Sequence, residues 1–511
     1  MKDYVCGIDI GSSSLKIVFI AKDGSVIGPF RREIEAFHPQ PMYVEQEPGQ
    51  WFKLVREILG EAFNTGMVDK YHVKAILPSA ATHTVVLLDD VFRPVRRAIM
   101  WNDQRSAVLA GECNYSKQVF ELTNHLPSPM WSLFHNLWVK THEPDNWRKV
   151  CYMMFPKDYL RFLLTGVYCT DYIDAEGTQL YDVHRKEWSE LLCSYLGFPK
   201  EQLPPLCHAT DVAGGVTAAA ARELNLLEGT PVYVGTTDTA LELVAAGAIR
   251  KGQATIKLAT SGRICIITDR TYPHKQLVNY SHVRNGLYYV GTGTRSCTSS
   301  LRWYKDRFGK YESIQAIDQK KSAYAILDEK AQNVPAGSQG LFFHPYLLGE
   351  FTPYSNDKLC ASFIGASMKH TEAHFIRAIL EGTAYSLRDC MRILDAIGIQ
   401  TDAEHLLLIG GGSASKLWGT ILANMLNCSL AVPQYSDSSF GGALLAGVAS
   451  GMFTSLEEAF DTCNKIAETI IPEGPDVDTY SNLFPVYTEI VSALMPIYEE
   501  LENVLVTSVG E

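Results

Sequence analysis

The sequence predicts an α/β protein built from two related domains, and three observations lead to this expectation. The chain has 511 residues, which at roughly 150 residues per domain allows two large domains with additions. Short β-rich runs alternate with helical patterns, an order typical of α/β layers. A strand, a turn of small residues and a second strand occupy Val5 to Phe19, and the same design returns at Gly252 to Ile267. A repeat at half the chain length indicates two similar domains rather than a solenoid.

Composition and charge narrow the class of protein. Hydrophobic residues make up 46% and charged residues 20% of the chain, as in ordinary globular proteins. The net charge of −12 disfavours nucleic acids and acidic membranes as partners. Without an apolar run of about 18 residues or a basic leader, the chain is expected to be cytoplasmic. Its 12 cysteines lie singly and are expected to be free thiols.

In the first half, each element follows from a local pattern. Val5 to Phe19 predicts two strands joined by a turn, and Asp23-Gly24 is a turn signal that begins a third strand. Val232–Val234 predicts a short strand that opens into a polar turn at Asp238, and Thr239 to Ile249 predicts a helix. At the start of this helix Asp238 is explained by capping alone. A general base acting on a hydroxyl would need the same placement.

The second half contains one long amphipathic pattern and one glycine run. Apolar residues from Ile376 to Leu394 recur at helical spacing before Gly398, which predicts a helix ending there. Within it, Gly382 implies close packing or a small break. Leu406 to Ile409 predicts a buried strand, with a helix following Gly410–Gly412. We place domains at residues 1–249 and 250–450, with a helical tail at 451–511.

Two turns of small residues carry groups suited to phosphate. Asp9 ends a strand and precedes Gly11–Ser14, so a carboxylate and exposed N–H groups come together; Thr260–Gly262 offers hydroxyls and a glycine in the second half. Each turn alone is explained equally well by an ordinary hairpin, but the pair favours a grip on a nucleotide's phosphates. Gly410–Gly412 lacks the dinucleotide-binding glycine order. It suits either an adenosine contact or a tight strand-to-helix turn.

A third polar group consists of Trp101–Arg105 with His83 upstream. Amide, carboxylate and imidazole groups can each fix the direction of a sugar hydroxyl. The alternatives are a structural role for His83 and a simple ion pair between Arg105 and Asp103.

Taken in order, these segments resemble the FGGY carbohydrate kinases, and the xylulokinases most. The resemblance covers nearly the whole chain. The matching segments are Gly7–Lys16, Val44–Pro48, Trp101–Arg105, Pro156–Tyr159 with Thr165–Gly166, Thr170–Tyr172, the loop around Asp238, Thr260–Gly262, Pro345–Leu347, Arg377–Ala378 with Glu381–Gly382, and Ile409–Gly412.

The resemblance implies a two-domain actin- and hexokinase-like (ribonuclease H-like) fold around an ATP cleft, and phosphorylation of D-xylulose to D-xylulose 5-phosphate. It implies that Asp238 is the catalytic base, that Mg²⁺ is held by Asp9 and Asp238, and that the enzyme is a homodimer. The sugar would be bound by Asp238, Thr82, His83, Asn102 and Asp103. The ATP-binding residues implied are Gly11, Ser12, Ser13, Lys16, Thr260, Ser261, Gly262, Gly410, Gly411 and Gly412.

The chain departs from the xylulokinase pattern in segments that are expected to bind the sugar. Where those kinases usually carry Ser-Gly-Gln-Met-His-Gly, residues 79–84 read Ser-Ala-Ala-Thr-His-Thr, and Thr239 replaces an asparagine after the base. Hydroxyl recognition depends on such groups, so other pentuloses, glycerol, erythritol and gluconate remain alternatives. From other classes, an actin-like nucleotide-switch ATPase without a sugar substrate is a second hypothesis. A dinucleotide-dependent dehydrogenase is disfavoured by the missing glycine fingerprint.

Overall fold

The computed structural model describes residues 2–401 and 404–509. The chain forms two compact units, each assembled from three segments. Unit 1 comprises Met1–Ile249, Asp269–Tyr288 and Tyr435–Lys465, and unit 2 comprises Arg250–Thr268, Tyr289–Gln434 and Ile466–Glu511. The boundary predicted near residue 249 thus coincides with the end of the first segment, while two later segments return to unit 1.

The strands of the described chain are β1 (Tyr4–Ile10), β2 (Ser14–Ala21), β3 (Val26–Glu33), β4 (Ala36–Phe37), β5 (Glu45–Gln46), β6 (Val73–Ala80), β7 (Val86–Leu88), β8 (Ala98–Ile99), β9 (Tyr152–Met154), β10 (Thr170–Asp171), β11 (Tyr181–Asp182), β12 (Glu187–Trp188), β13 (Leu206–Cys207), β14 (Val212–Gly215), β15 (Pro231–Tyr233), β16 (Thr236–Thr237), β17 (Ala254–Leu258), β18 (Gly262–Thr268), β19 (Val278–Ser281), β20 (Tyr288–Thr294), β21 (Phe342–His344), β22 (Ser362–Ile364), β23 (Leu406–Ile409), β24 (Leu430–Pro433) and β25 (Ile466–Ile470).

The α-helices are α1 (Pro48–Asn64), α2 (Ala107–Gly111), α3 (Ser116–Thr123), α4 (Ser132–His142), α5 (Pro144–Trp147), α6 (Pro156–Thr165), α7 (Tyr172–Glu176), α8 (Glu190–Leu196), α9 (Ala218–Leu224), α10 (Asp238–Ala246), α11 (Thr298–Arg307), α12 (Lys310–Gln319), α13 (Ala323–Ala331), α14 (Glu372–Ile397), α15 (Lys416–Leu426), α16 (Ser438–Ala449), α17 (Leu456–Cys463) and α18 (Gly474–Val509). Within these described ranges, none of the helices is both long and apolar enough to cross a membrane.

The main sheet of unit 1 has the order β14-β15-β6-β1-β2-β3, with β16 also paired to β6. β1 runs antiparallel to β2 and parallel to β6, and β16 also runs parallel to β6. The two strands, the turn and the third strand predicted for the N-terminus are confirmed. Because β1, β6 and β16 point the same way, their carboxyl ends meet at one edge of the sheet, where α/β proteins usually bind ligands.

Helix α16 is pressed against this sheet through glycines. A Cβ at Gly7 in β1 would overlap the carbonyl oxygen of Ser439, and a Cβ at Gly441 would overlap that of Leu241 in α10. Such contact between backbones requires glycine. The core around it is apolar and includes Val5, Val18, Leu77, Phe440 and Leu444. The first residues of α16 are thereby fixed in unit 1, about 200 residues beyond the predicted boundary.

Unit 2 repeats the arrangement of the N-terminal strands. Within unit 2 the strands of the sheet lie in the order β20-β18-β17-β23-β24-β25, and β17 is antiparallel to β18 and parallel to β23. The long helix predicted in the second half is α14, and Gly398 ends it with φ at 80°. Inside α14, Gly382 makes room for the carbonyl oxygen of Phe343, so the glycine serves close packing and leaves the helix unbroken.

Residues 451–511, which the sequence predicted to form a helical tail, are divided between the two units. Helix α17 belongs to unit 1, whereas β25 and α18 belong to unit 2. β25 pairs antiparallel with β24 and so lengthens the sheet of unit 2. A five-residue strand between two helical patterns gives little periodic signal, which is why the sequence predicted helix throughout.

Candidate active site

Asp238 is the first residue of α10, at the carboxyl end of β16. The helix is capped by the preceding residue, since the Thr237 hydroxyl accepts a hydrogen bond from the N–H of Ala240. The Asp238 carboxylate instead accepts the N–H of Thr239 at 2.7 Å and is half-buried. Capping alone therefore does not account for Asp238, and a carboxylate remains at the sheet edge with access to a ligand.

Asp9 lies near the end of β1, which is separated from β16 by β6. Its side chain is 4% exposed and accepts a hydrogen bond of 2.6 Å from the Ser79 hydroxyl in β6. Burial, followed by the negative charges of Asp437 and Asp238, raises the pKa of Asp9 well above its usual range. The negative charges of two other carboxylates thus act on Asp9 at this edge.

Lys16 supplies positive charge at the same place. It faces Asp9 across the β1–β2 pair and forms an ion pair with Asp437. Asp437 caps α16 by accepting the N–H of Ser439. The sequence analysis missed Asp437; the sequence Asp-Ser-Ser before an apolar helix was the signal for such a cap.

This donor set fits a magnesium ion. Mg²⁺ in proteins takes one or two carboxylates and completes its shell with water and phosphate oxygens. Asp9 and Asp238 supply that number, and their mutual repulsion is what a divalent cation relieves. The described residues hold no cluster of three or more histidine, cysteine or acidic side chains placed as metal ligands.

Thr82 and His83 follow the carboxyl end of β6, next to the strand that leads to Asp238. Thr237 pairs with Ala80 in the β16–β6 ladder, so the two predicted sugar residues and the predicted base belong to one edge. The Thr82 hydroxyl donates to Asp174 at 3.1 Å. His83 is 4% exposed, and its Nε2 lies 2.6 Å from the hydroxyl of Tyr280.

A buried network of ion pairs connects the segment that follows β6 with the segment that leads to Asp238. Lys157 Nζ lies 3.0 Å from Asp171 and 3.3 Å from Asp174, and all three side chains are at most 1% exposed. Asp171 accepts the hydroxyl of Thr236 at 2.7 Å, two residues before the predicted base, and Asp174 accepts that of Thr82. The segments that contain Lys157 and Asp171 were matched to the family without a role for either residue, and Asp174 lies outside the matched segments. The structure shows that they link the sugar segment to the base segment.

The Trp101–Arg105 segment divides into exposed and buried parts. Asp103 is fully buried; its carboxylate accepts the Val44 N–H at 2.6 Å and the Arg105 guanidinium at 2.8 Å. The alternative of an Arg105–Asp103 ion pair is what the structure contains, so Asp103 has its hydrogen-bonding capacity committed within the protein. Asn102 is exposed, and the indole N–H of Trp101 donates to the Ser12 hydroxyl at 2.9 Å.

The small-residue turns lie where the sequence predicted them. In unit 1, Ser12 and Ser13 are exposed, and the N–H of Gly11 donates to the carbonyl of Ser14 at 3.0 Å. In unit 2, Thr260–Gly262 joins β17 to β18, while Gly410–Gly412 follows β23. The parallel pairing of β17 with β23 brings these two loops to one edge, where a Cβ at Gly410 would lie 2.6 Å from the carbonyl oxygen of Leu258.

Comparison with known proteins agrees with this geometry. The sequence model for the N-terminal domain of the FGGY family of carbohydrate kinases matches residues 4–245, and that for its C-terminal domain matches residues 256–450. The chain belongs to the FGGY family of carbohydrate kinases. The expected enzyme class is thereby confirmed: the protein is an ATP-dependent sugar kinase with a two-domain actin- and hexokinase-like fold.

Individual members of the family are similar to the chain over nearly its whole length. The chain is 31% identical over 495 residues to the xylulose kinase of Bacillus subtilis (strain 168), covering 95% of this chain and 96% of that one. It is 26% identical over 514 residues to the gluconokinase of the same organism, covering 98% of both. The crystal structure of xylulose kinase from Rhodospirillum rubrum, 27% identical, superposes with a TM-score of 0.87 and covers 97% of this chain and 100% of that chain.

The buried network generates a stability prediction. Lys157→Met removes the cation shared by Asp171 and Asp174, and uncompensated buried charge typically costs about 3–5 kcal/mol. We expect urea unfolding followed by circular dichroism to show a loss of that size. Lys200→Met, which breaks the exposed pair with Glu190, is the control and should leave the free energy of unfolding nearly unchanged. Equal, small losses in both variants would contradict a central structural role for the network.

Proposed function

We propose that the protein transfers the γ-phosphoryl group of ATP to a hydroxyl of D-xylulose, giving D-xylulose 5-phosphate and ADP. The observation that carries this proposal is the register of β6 with β1 and β16, which gathers Asp9, Thr82, His83 and Asp238 at one edge. The xylulose kinases among its relatives supply the choice of sugar. Gluconate is the second candidate because a gluconokinase matches over the same length.

Asp238 acts as the general base in this proposal. Its carboxylate accepts the proton of the attacking hydroxyl while that oxygen bonds to the γ-phosphorus, and the bond from phosphorus to the β–γ bridging oxygen breaks to release ADP. Placement at a strand-to-helix junction holds the carboxylate on rigid elements, as proton transfer at hydrogen-bond distance requires. Thr82 and His83 orient the sugar from the neighbouring strand end.

Charge on the phosphates must be neutralised for this reaction. Asp9 and Asp238 would hold Mg²⁺, which when bound supplies positive charge to the phosphate oxygens. Lys16 adds a fixed positive charge in unit 1. We assign phosphate contacts to Gly11, Ser12 and Ser13 in unit 1 and to Thr260–Gly262 in unit 2, and adenosine contacts to Gly410–Gly412, because these turns consist of glycines and small polar residues that let a ligand approach the backbone.

Two of the residues that the sequence predicts to bind the sugar differ in their exposure. Asn102 is exposed and free to reach a substrate hydroxyl, whereas Asp103 supports its loop through Arg105. We therefore give Asp103 an indirect role in sugar binding. Membership of a sugar kinase family disfavours the nucleotide-switch hypothesis. Cytoplasmic location and a homodimer stay predictions.

The proposal is tested by ADP release from Mg·ATP in the presence of D-xylulose, gluconate, glycerol or erythritol. We expect D-xylulose to give the highest kcat/KM of the panel, because several of the relatives that match the chain over nearly its whole length are xylulose kinases. Higher kcat/KM with gluconate would replace the sugar and keep the kinase. No stimulation by any of the four compounds would contradict the proposed substrate class.

Asp238→Ala tests the base. Loss of general-base catalysis typically lowers turnover by about two to four orders of magnitude, so kcat with D-xylulose should fall by that factor while ATP binding, measured by calorimetry, persists. Glu223→Ala, an exposed helical carboxylate of the same unit, should retain wild-type kcat. Near-normal turnover in a folded Asp238→Ala variant would remove the residue from this role.

Asp9→Asn tests the metal assignment. The variant loses one negative ligand but keeps the shape of the side chain, so the Mg²⁺ concentration for half-maximal rate should rise by about tenfold or more. A magnesium titration of ADP release, run at saturating ATP beside the wild type, gives this value. An unchanged titration curve would exclude Asp9 as a magnesium ligand.

A further inference from the structure

His83 is held in an unusual backbone conformation. Its φ is 67°, in the left-handed region that favours glycine, and such conformations cost about 1–3 kcal/mol unless the surroundings enforce them. The enforcing contacts are present: the Ser132 hydroxyl donates to the His83 carbonyl at 2.9 Å, and the imidazole packs on Trp131 with ring centroids 4.5 Å apart. A Cβ at Gly177 would lie 2.8 Å from the His83 ring, so a glycine is required beneath it.

Tyr280 completes this enclosure from a distant part of the sequence. Its hydroxyl lies 2.6 Å from His83 Nε2, and the two rings are nearly parallel with centroids 6.2 Å apart. A neutral imidazole has one donor and one acceptor nitrogen, so a partner on Nε2 influences which nitrogen carries the proton. The bond therefore fixes the direction in which the ring points.

In β19, the residues on both sides of Tyr280 are hydrogen-bonded to other parts of unit 1. The N–H of Asn279 donates to His125 Nε2 at 2.9 Å, and burial lowers the pKa of His125 to about 3, which keeps that ring neutral. Both the N–H and the hydroxyl of Ser281 donate to Glu176, at 2.7 and 2.6 Å. Three consecutive residues of β19 thus each bond to a side chain of unit 1.

These anchors surround the segment that follows β6. Glu176 immediately precedes Gly177, which packs against Thr82 and His83. The His125 ring lies 4.6 Å from Trp131 and 5.4 Å from Tyr280, centroid to centroid. All of these residues belong to unit 1. Trp131, Tyr280 and Gly177 thus pack around one imidazole.

We propose that Tyr280 is a positioning residue of the sugar site, acting through His83, and that residues 279–281 form part of that site although they follow the first domain in sequence. This inference rests on the proposed function, because it takes His83 to contact the sugar. The effect is expected to be selective: removing the Tyr280 hydroxyl lowers the affinity for the sugar and leaves the affinity for ATP unchanged.

Tyr280→Phe tests this by removing one oxygen atom and keeping the ring. We expect the KM for D-xylulose to rise about three- to tenfold, the usual effect of one lost hydrogen bond, while the KM for ATP stays within twofold. The control is Tyr159→Phe, which removes another buried tyrosine hydroxyl in the core of unit 1 and should leave both constants unchanged. Thermal unfolding of both variants checks that they are folded.

A double-mutant cycle separates positioning from a general structural effect. If Tyr280 acts through His83, Tyr280→Phe should change the sugar KM by less than twofold in a His83→Ala background. An unchanged sugar KM in the single variant, a parallel rise in the KM for ATP, or full additivity with His83→Ala would overturn the inference alone. A wild-type protein without sugar-dependent ADP release would overturn it together with the proposed function.

Discussion

The parallel pairing of β6 with both β1 and β16 is the constraint on which the rest of the site depends. It fixes Asp9 opposite Ser79 and Thr237 opposite Ala80, and the chain leaves both strands at the same edge. A shift of one residue in either ladder would turn the site side chains to the other face of the sheet. Glycines reinforce the register, because Gly7 and Gly441 let α16 touch the sheet and α10 directly.

This constraint concentrates negative charge. Asp238 and Asp437 act through space on Asp9, which is buried. Such an arrangement is costly in the absence of cations, and Lys16 on the neighbouring strand supplies positive charge through its ion pair with Asp437. Beneath the edge, Lys157 offsets a second group of carboxylates that tie Thr82 and Thr236 together. In the proposed function the first group faces the substrate, whereas the second holds the framework, although both consist of aspartates and a lysine.

Local patterns predicted a large part of this structure. The paired strands and turns, the start of α10 near Asp238 and the end of α14 at Gly398 follow from periodicity and from turn and cap residues, which act over a few positions. The return of residues 269–288 and 435–465 to unit 1 could not be predicted in that way, since it depends on contacts between segments far apart in sequence. For the same reason Tyr280 and the pairing of Asp437 with Lys16 went unnoticed. For Asp103 the sequence left sugar binding and an ion pair with Arg105 as alternatives, and the structure contains the ion pair.

The central claim is that a small sugar binds at the carboxyl ends of β6 and β16. A crystal structure of the protein with D-xylulose, determined without nucleotide so that no turnover occurs, tests it most directly. The account predicts one sugar hydroxyl within about 2.6–3.2 Å of the Asp238 carboxylate and the sugar in contact with Thr82 and His83. A sugar bound away from Asp238, or held by residues outside that edge of the sheet, would contradict it.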